Sequence, residues 1–278
     1  MSTIDAYLNF SDAPVLLRRI PQLLWLVHMV NLVLVPRNWY VRRVLRGLRQ
    51  SGFMPDRVVD AGCGLGDHSF QVARMFRAAS VTGIDASKSN IDLCTHYAAA
   101  IDSQRHSFLH GNLSDLSEAT PASLVLCITV LQYIADDRGI LQKLRSLLAE
   151  NGRMILYVPV HFKRYLSWYK RVSLLPHFNY DSQLGRAHTF TSEEIVEKAQ
   201  SAGFSLERIE HTYGPVGAVA YELFSIAQYY LAHGSLGQRL ISTIGFILYV
   251  PVFLVLMGID ASQKHQSGNG VVLLLKKT

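Results

Sequence analysis

Val58-Val59-Asp60-Ala61-Gly62-Cys63-Gly64-Leu65-Gly66 runs a β-branched, apolar stretch straight into three glycines at alternate positions. The first part has the character of a buried strand, and the glycines mark the point where the chain turns sharply into a helix. A glycine in that place lets the backbone turn and touch a ligand without a Cβ in the way. Nineteen residues beyond Gly66, a second such run, Val81-Thr82-Gly83-Ile84, ends in Asp85. A carboxylate at the carboxyl edge of the second strand can accept both hydroxyls of a ribose, so the pair points to a nucleoside site. The glycine spacing is GxGxG rather than the GxGxxG of dinucleotide enzymes, and Asp67 follows it. An acid in the first helical turn repels a pyrophosphate and tolerates a cation.

Outward from that turn, short β-branched runs alternate with helical stretches, the pattern of stacked βαβ units. The pattern predicts strands at Arg57–Ala61, Ser80–Asp85, His106–His110, Leu124–Thr129, Arg153–Val158, Phe204–Tyr213 and Gly270–Lys276. It predicts helices at Leu65–Phe76, Lys88–Ala100, Asp136–Ala149 and Ser192–Ala202. Upstream, Ser11-Asp12-Ala13-Pro14 reads as a helix start, with an apolar run to Pro36 and a second helix from Trp39 to Gln50. The expected organisation is a helical N-terminal segment over 1–52 and one doubly wound α/β domain over 53–278. That domain carries two insertions, an aromatic and basic one at 160–190 and an apolar helical hairpin at 215–267.

Composition narrows the function classes. The chain has 278 residues, 49% hydrophobic, and a net charge of +6. Met1 to Arg49 holds seven arginines against two aspartates, so nearly all the excess lies there, beside the apolar run Leu23–Val35. Basic residues next to bulky aliphatic ones favour an anionic lipid surface over nucleic acid. Cys63, Cys94 and Cys127 form no CxxC pair, which argues against a zinc site or a disulfide framework and for a reducing, cytoplasmic setting. No cleavable signal peptide is legible at the N-terminus.

Taken together, the motifs resemble those of class I S-adenosylmethionine-dependent methyltransferases. Val58–Gly66 is similar to that family's first motif and Gly83-Ile84-Asp85-Ala86-Ser87 to its second. Gly111-Asn112-Leu113-Ser114-Asp115-Leu116 resembles its adenine-contacting turn, and Thr129-Val130-Leu131-Gln132-Tyr133-Ile134 its motif after strand four. Leu147–Pro159 resembles the strand-five motif, and Gly268-Asn269-Gly270-Val271-Val272 the turn into an antiparallel last strand. The resemblance implies a seven-stranded Rossmann-like sheet and S-adenosyl-L-methionine as cofactor. It implies that Gly62, Cys63, Gly64 and Gly66 lie under the methionine moiety with Asp60 near its amino group, and that Asp85 and Ala86 hold the ribose. Asn112 and Leu113 would meet the adenine, and Thr129 would stand at the end of strand four. Asn112 replaces the family's usual aspartate, Gln132 and Tyr133 its common Glu-His pair, and Ser123 an aspartate that often opens strand four.

Methyl transfer needs alignment and a dry site, and a base only where the acceptor must lose a proton. His161 and His188 are the candidate bases, and Tyr133 could orient the acceptor. No metal is implied. The segment after strand five commonly forms the acceptor lid in this family, and its aromatics suit an aromatic or lipid-like acceptor, methylated at oxygen. Leu240 to Ile259 contains no charge over twenty residues, long enough to span a bilayer as a helix. Pro251 interrupts it, and the last strand must return to the same sheet, so an in-plane or re-entrant hairpin at the inner face of a membrane fits better than a single crossing. A cap over the acceptor pocket and an oligomer face remain as alternatives. The rival functions are a membrane-associated scaffold that binds the cofactor without catalysis and an NAD(P)-dependent oxidoreductase.

Overall fold

Strand β1 (Arg57–Ala61) lies between β2 (Ser80–Asp85) and β4 (Ala122–Ile128), and the sheet grows outward from it. In the computed structural model, which describes residues 20–102, 104–115, 121–172 and 187–278, the strand order is β3-β2-β1-β4-β5-β7-β6. Here β3 is His106–His110, β5 Leu148–Pro159, β6 Phe204–Thr212 and β7 Gly270–Lys277. The first five strands pair in parallel, whereas β7 is antiparallel to both β5 and β6. This is a doubly wound Rossmann-like sheet, as the alternation of runs predicts, with the antiparallel last strand that the family resemblance implies.

Nine helices carry the connections among the described residues: α1 (Leu24–Leu34), α2 (Arg37–Gln50), α3 (Asp67–Met75), α4 (Lys88–Ile101), α5 (Asp137–Ser146), α6 (Ser167–Val172), α7 (Ser192–Ser201), α8 (Pro215–His233) and α9 (Leu236–Ser262). Successive strand residues face opposite sides of the sheet, and the burial shows it. Ala61, Val125, Cys127, Leu156 and Leu273 face a layer containing α5 and α7. Val58, Leu124, Leu126, Ile155 and Val272 face the other layer, which contains α2, α3, α8 and α9.

Several boundaries move by a few residues, each with a local cause. Helix α3 begins at Asp67 rather than Leu65, since Gly64 and Gly66 are left-handed with φ of 53° and 78°. Strand β5 begins at Leu148, inside the stretch expected to be helical, because the Ala122 amide donates to the Leu147 carbonyl and draws the chain into the sheet. Strand β6 stops at Thr212 because Tyr213 turns left-handed, φ 53°. Ser87 and Thr191 cap α4 and α7, Thr191 in a reciprocal capping box with Glu194. The helix start at Ser11–Pro14 and residues 173–186 of the 160–190 insertion lie outside the described residues.

The hairpin α8–α9 fills the connection between β6 and β7 and is tied down at its base by one carboxylate. Asp260 is fully buried near the end of α9. It accepts hydrogen bonds from Tyr40 Oη (2.6 Å), Gly217 N (2.8 Å) and Gly214 N (3.2 Å), so it joins α2, the first turn of α8 and α9. Burial, and after it the Asp260 charge, raises the pKa of the Tyr40 phenol and keeps it a donor. Replacing Asp260 by Ala orphans three donors in a buried site, and we expect a loss of about 2–4 kcal/mol in unfolding free energy, with Asp260→Asn losing less. Urea denaturation measures this, and an Asp260→Ala midpoint equal to that of the wild type would show that the latch does not hold the hairpin.

Candidate functional site

A cavity of about 1260 Å³ opens at the carboxyl edge of β1, β2 and β4, where the strand order reverses direction and ligands of open α/β sheets bind. Its floor is the glycine loop. Gly62 has φ of 77°, and a Cβ there would come within 2.2 Å of Val130 Cγ2, so both conformation and space require glycine. The amides of Gly62 and Cys63 both donate to the Ile84 carbonyl, at 2.7 and 2.9 Å, which holds the loop against the end of β2.

Asp85 fixes the loop's far side. Its carboxylate accepts from Gly64 N at 2.8 Å and from Ser87 N at 2.9 Å, one bond to each oxygen. Each carboxylate oxygen retains acceptor capacity, which leaves Asp85 able to accept hydroxyls while its direction is fixed by the backbone. Gly111, Asn112, Leu113 and Ser114 line the same end of the cavity, and Thr129, Val130, Tyr133 and Ile134 the opposite wall. Thr129 is left-handed with φ of 59°, an unfavourable conformation for a β-branched residue. Such strain at the end of a central strand is a mark of a working site, since the surrounding structure has to hold it.

Of the residues singled out from sequence, Gly62, Cys63, Gly64, Asp85, Ala86, Asn112, Leu113, Thr129 and Tyr133 line this cavity together. Gly66 and Asp60 sit just behind it. Gly66 caps α3, packed against Phe70. Asp60 is buried, accepts from Ser69 Oγ at 2.6 Å, and has its pKa raised to about 7, mainly by burial, with the charge of Asp85 contributing. Neither candidate histidine is among the lining residues. His161 is exposed, its amide bonded to the Phe190 carbonyl. His188 sends Nε2 to the Ala135 carbonyl at 2.9 Å, while its amide donates to the Gln132 carbonyl beside Tyr133.

The N-terminal helix supplies wall residues that spacing alone did not reveal. Helix α1 lies over the glycine loop: His28 Nε2 donates to the Leu65 carbonyl at 2.8 Å and Asn31 Nδ2 to Asp67 Oδ2 at 2.7 Å. Burial lowers the His28 pKa and keeps the ring neutral, so the carbonyl contact places the proton on Nε2. Asn31, Val35 and Arg37 line the cavity, as does His68, whose pKa burial lowers to about 4. Asn31 Oδ1 and Asp67 Oδ1 are buried acceptors with no hydrogen bond. Orphaned acceptors beside a glycine cradle, with Asp60 and Asp85 near, suit a ligand with positive charge and several donors. An amino-acid sulfonium joined to a ribose has both, so these residues fit S-adenosylmethionine better than a pyrophosphate.

Asp60 gives a pH test. Its folded pKa near 7 exceeds the ordinary 3.8, so the folded state holds a proton that the unfolded state has lost between those values. Its contribution to stability is therefore present at low pH and lost as pH rises through 7. Asp60→Asn should gain on the wild type by up to about 1.4 kcal/mol per pH unit between pH 5 and 7. Denaturation midpoints across that range read the difference, and two parallel curves would refute the buried-proton assignment.

Comparison with known proteins agrees with the geometry. A family model described as a methyltransferase domain matches residues 55–203, more than half of the chain. The trans-aconitate 2-methyltransferase of Pseudomonas aeruginosa is 30% identical over 42% of this chain and 40% of its own length. The ubiquinone biosynthesis O-methyltransferase of Psychrobacter cryohalolentis is 28% identical over 43% of this chain and half of its own length. The chain thus spans only about 40–50% of these relatives. Among solved structures, one assigned as a sarcosine dimethylglycine methyltransferase from Galdieria sulphuraria superposes with a TM-score of 0.60 at 11% identity, over 87% of this chain and 86% of its own. Sheet order, glycine cradle and family model converge: the chain belongs to the class I S-adenosylmethionine-dependent methyltransferases.

Proposed function

We propose that the protein transfers a methyl group from S-adenosylmethionine to a small acceptor of hydrophobic character, at an oxygen, close to a membrane surface. The single observation that carries the cofactor part is the Asp85 carboxylate, held by Gly64 N and Ser87 N on the rim of a glycine loop that has no room for a Cβ at Gly62 or Gly66. In this reading Asp85 and Ala86 bind the ribose, Asn112 and Leu113 the adenine, and Gly62, Cys63 and Gly64 the methionine chain. Asp60, Asp67 and Asn31 provide the negative and acceptor groups for the ammonium. When bound, the cofactor supplies an activated methyl on a sulfonium, so the protein's task is alignment and exclusion of water.

Tyr133 is the wall residue best placed to orient the acceptor, since it lines the cavity next to the strained end of β4. His188 is tied by its backbone to Gln132, one residue from Tyr133, and with His161 it remains the candidate to take up a proton from a hydroxyl acceptor. His68 also lies in the cavity wall, where burial lowers its pKa to about 4 and leaves it a weaker base than an ordinary histidine. The hydrophobic character of the acceptor rests on the apolar wall of Val35, Ile84, Ile128, Val130, Ile134 and Ile140. The lid expected over 160–190 would add to that wall. Its described start is pinned by the buried Glu222 of α8, which accepts from Tyr165 N at 2.7 Å and Leu166 N at 2.9 Å.

Calorimetry with S-adenosylmethionine tests the cofactor site. Asp85→Ala should weaken binding by about 1–3 kcal/mol through loss of a charged acceptor, and Gly64→Val should do at least as much harm. Unchanged affinity in both variants would move the nucleoside elsewhere. Labelled cofactor turned over with a lipid extract, followed by mass spectrometry of the product, identifies the acceptor. Alanine at the residue that acts as base should lower turnover by roughly 10²–10⁴-fold while affinity for the cofactor holds. If His68, His161 and His188 all tolerate alanine, the acceptor arrives deprotonated or is handled by Tyr133.

A further inference from the structure

Helices α1 and α9 share a property that the cavity does not use: each packs one side on the protein and turns a bulky uncharged side outward. On α9, Leu240, Ile241, Ile244, Ile247, Leu248 and Val255 are all exposed, Ile241 by 73%. Their three-to-four-residue spacing makes one stripe, about 30 Å long from Leu240 to Ile259 at 1.5 Å per residue. The other side of the helix buries Phe253, Met257 and Asp260. On α1, Trp25, Leu26, Met29, Val30 and Val33 are exposed in the same manner, while Leu24, His28 and Asn31 face inward.

Positive charge adjoins the shorter stripe. Arg42 and Arg46 on α2 and Arg74 on α3 are exposed. Arg46 and Arg74 lie close enough to reinforce the depression of the Arg42 pKa that partial burial begins, and the charge of Arg74 also reaches His28 on α1. Among the described residues, none of the three is in a salt bridge with a carboxylate. A cluster of like charges with no carboxylate partner among the described residues suits an external anion.

We propose that α1 and α9 dock the protein on the surface of an anionic phospholipid bilayer, the two apolar stripes in the interface and Arg42, Arg46 and Arg74 against the headgroup phosphates. A second copy meeting through α1 fits less well, since that two-fold contact would set the arginine cluster against itself. A crossing by α9 fits less well too. By length and composition the helix could span, but its C-terminal part is fixed to the core by Phe253, Met257 and the Asp260 latch, which a helix crossing the bilayer would have to release. The docking goes beyond methyl transfer and does not depend on it. It does place α1 between lipid and cavity, because Asn31 and, one residue past the helix end, Val35 line the cavity.

Flotation of the full chain with vesicles of phosphatidylcholine, alone or with about one third phosphatidylglycerol, tests the proposal. Binding to the anionic vesicles should exceed binding to the neutral ones by on the order of tenfold or more, and high salt should release it only in part. The triple variant Arg42→Gln, Arg46→Gln, Arg74→Gln should lose the preference for anionic vesicles. Ile241→Ser with Leu248→Ser should weaken binding to both kinds by on the order of tenfold. All variants should still bind S-adenosylmethionine in calorimetry, which reports an intact fold. Reagents confined outside sealed vesicles should reach labels at Met1 and Thr278 alike. Three results overturn the proposal: no flotation with either vesicle, labels on opposite sides, or a dimer in light scattering that the α9 double variant dissociates while flotation is unchanged. Flotation without any binding of S-adenosylmethionine by the wild type leaves the docking standing and removes the proposed function.

Discussion

The last strand must enter the sheet between two strands already in place, and much else in the molecule answers to that constraint. Strand β7 pairs antiparallel with β5 along Arg153–Pro159 and with β6 along Phe204–Thr212. Six of its eight residues are buried, in the run Gly270-Val271-Val272-Leu273-Leu274-Leu275. A strand so covered cannot be displaced without opening both cores, because its alternate residues belong to opposite layers. The long apolar connection before it therefore leaves the sheet and returns to it on the same side. Asp260 closes that excursion at its base, where one carboxylate satisfies Tyr40 and two amides of the first turn of α8.

The same economy of backbone contacts builds the cavity. Asp85 does not point freely into solvent. Two amides hold it, one from the glycine loop and one from the start of α4, so the acid and the cradle are a single rigid unit. Three further acceptors, on Asp60, Asp67 and Asn31, gather on the other side of the loop, where a helix N-terminus would otherwise attract an anion. The electrostatic consequence is selection by sign. A diphosphate would face those acids at close range, whereas a sulfonium with an ammonium group relieves them, the buried Asp60 above all, whose pKa is raised by desolvation first and by the charges of Asp85 and Asp67 after it.

Much of this was legible in the sequence, because glycines, β-branched runs and capping residues act over short range. Strands β1, β2 and β3 fall where the alternation places them, as the turn chemistry at Gly62, Asp85 and Ser87 is local. Boundaries slipped where the deciding contact was distant, as at Leu148, which joins the sheet through the pairing of Leu147 with Ala122. The part of α1 in the cavity was not legible. His28 and Asn31 read as polar interruptions of an apolar run, and only the fold brings them to Leu65 and Asp67, more than thirty residues away. His68 gave no signal either, since one histidine after a glycine loop has no spacing to betray it. Conversely, His161 and His188 stand out by their place in motifs, yet their rings turn to neighbouring backbone or solvent.

Helix α1 joins these threads, since its two sides answer to different environments. Inward, its hold on the glycine loop consists of the His28 and Asn31 hydrogen bonds and the packing of Leu24 against the cluster of Leu65, Phe70, Leu93 and Tyr97. Outward, five large apolar side chains are exposed among the described residues. Whatever covers them stabilises the docked position of α1 by its binding free energy, and with it the cavity wall formed by Asn31 and Val35. In the proposed docking, a ligand that contacts Asn31 and a bilayer over the outer stripe would each stabilise the same position of α1, so by linkage the two would favour one another.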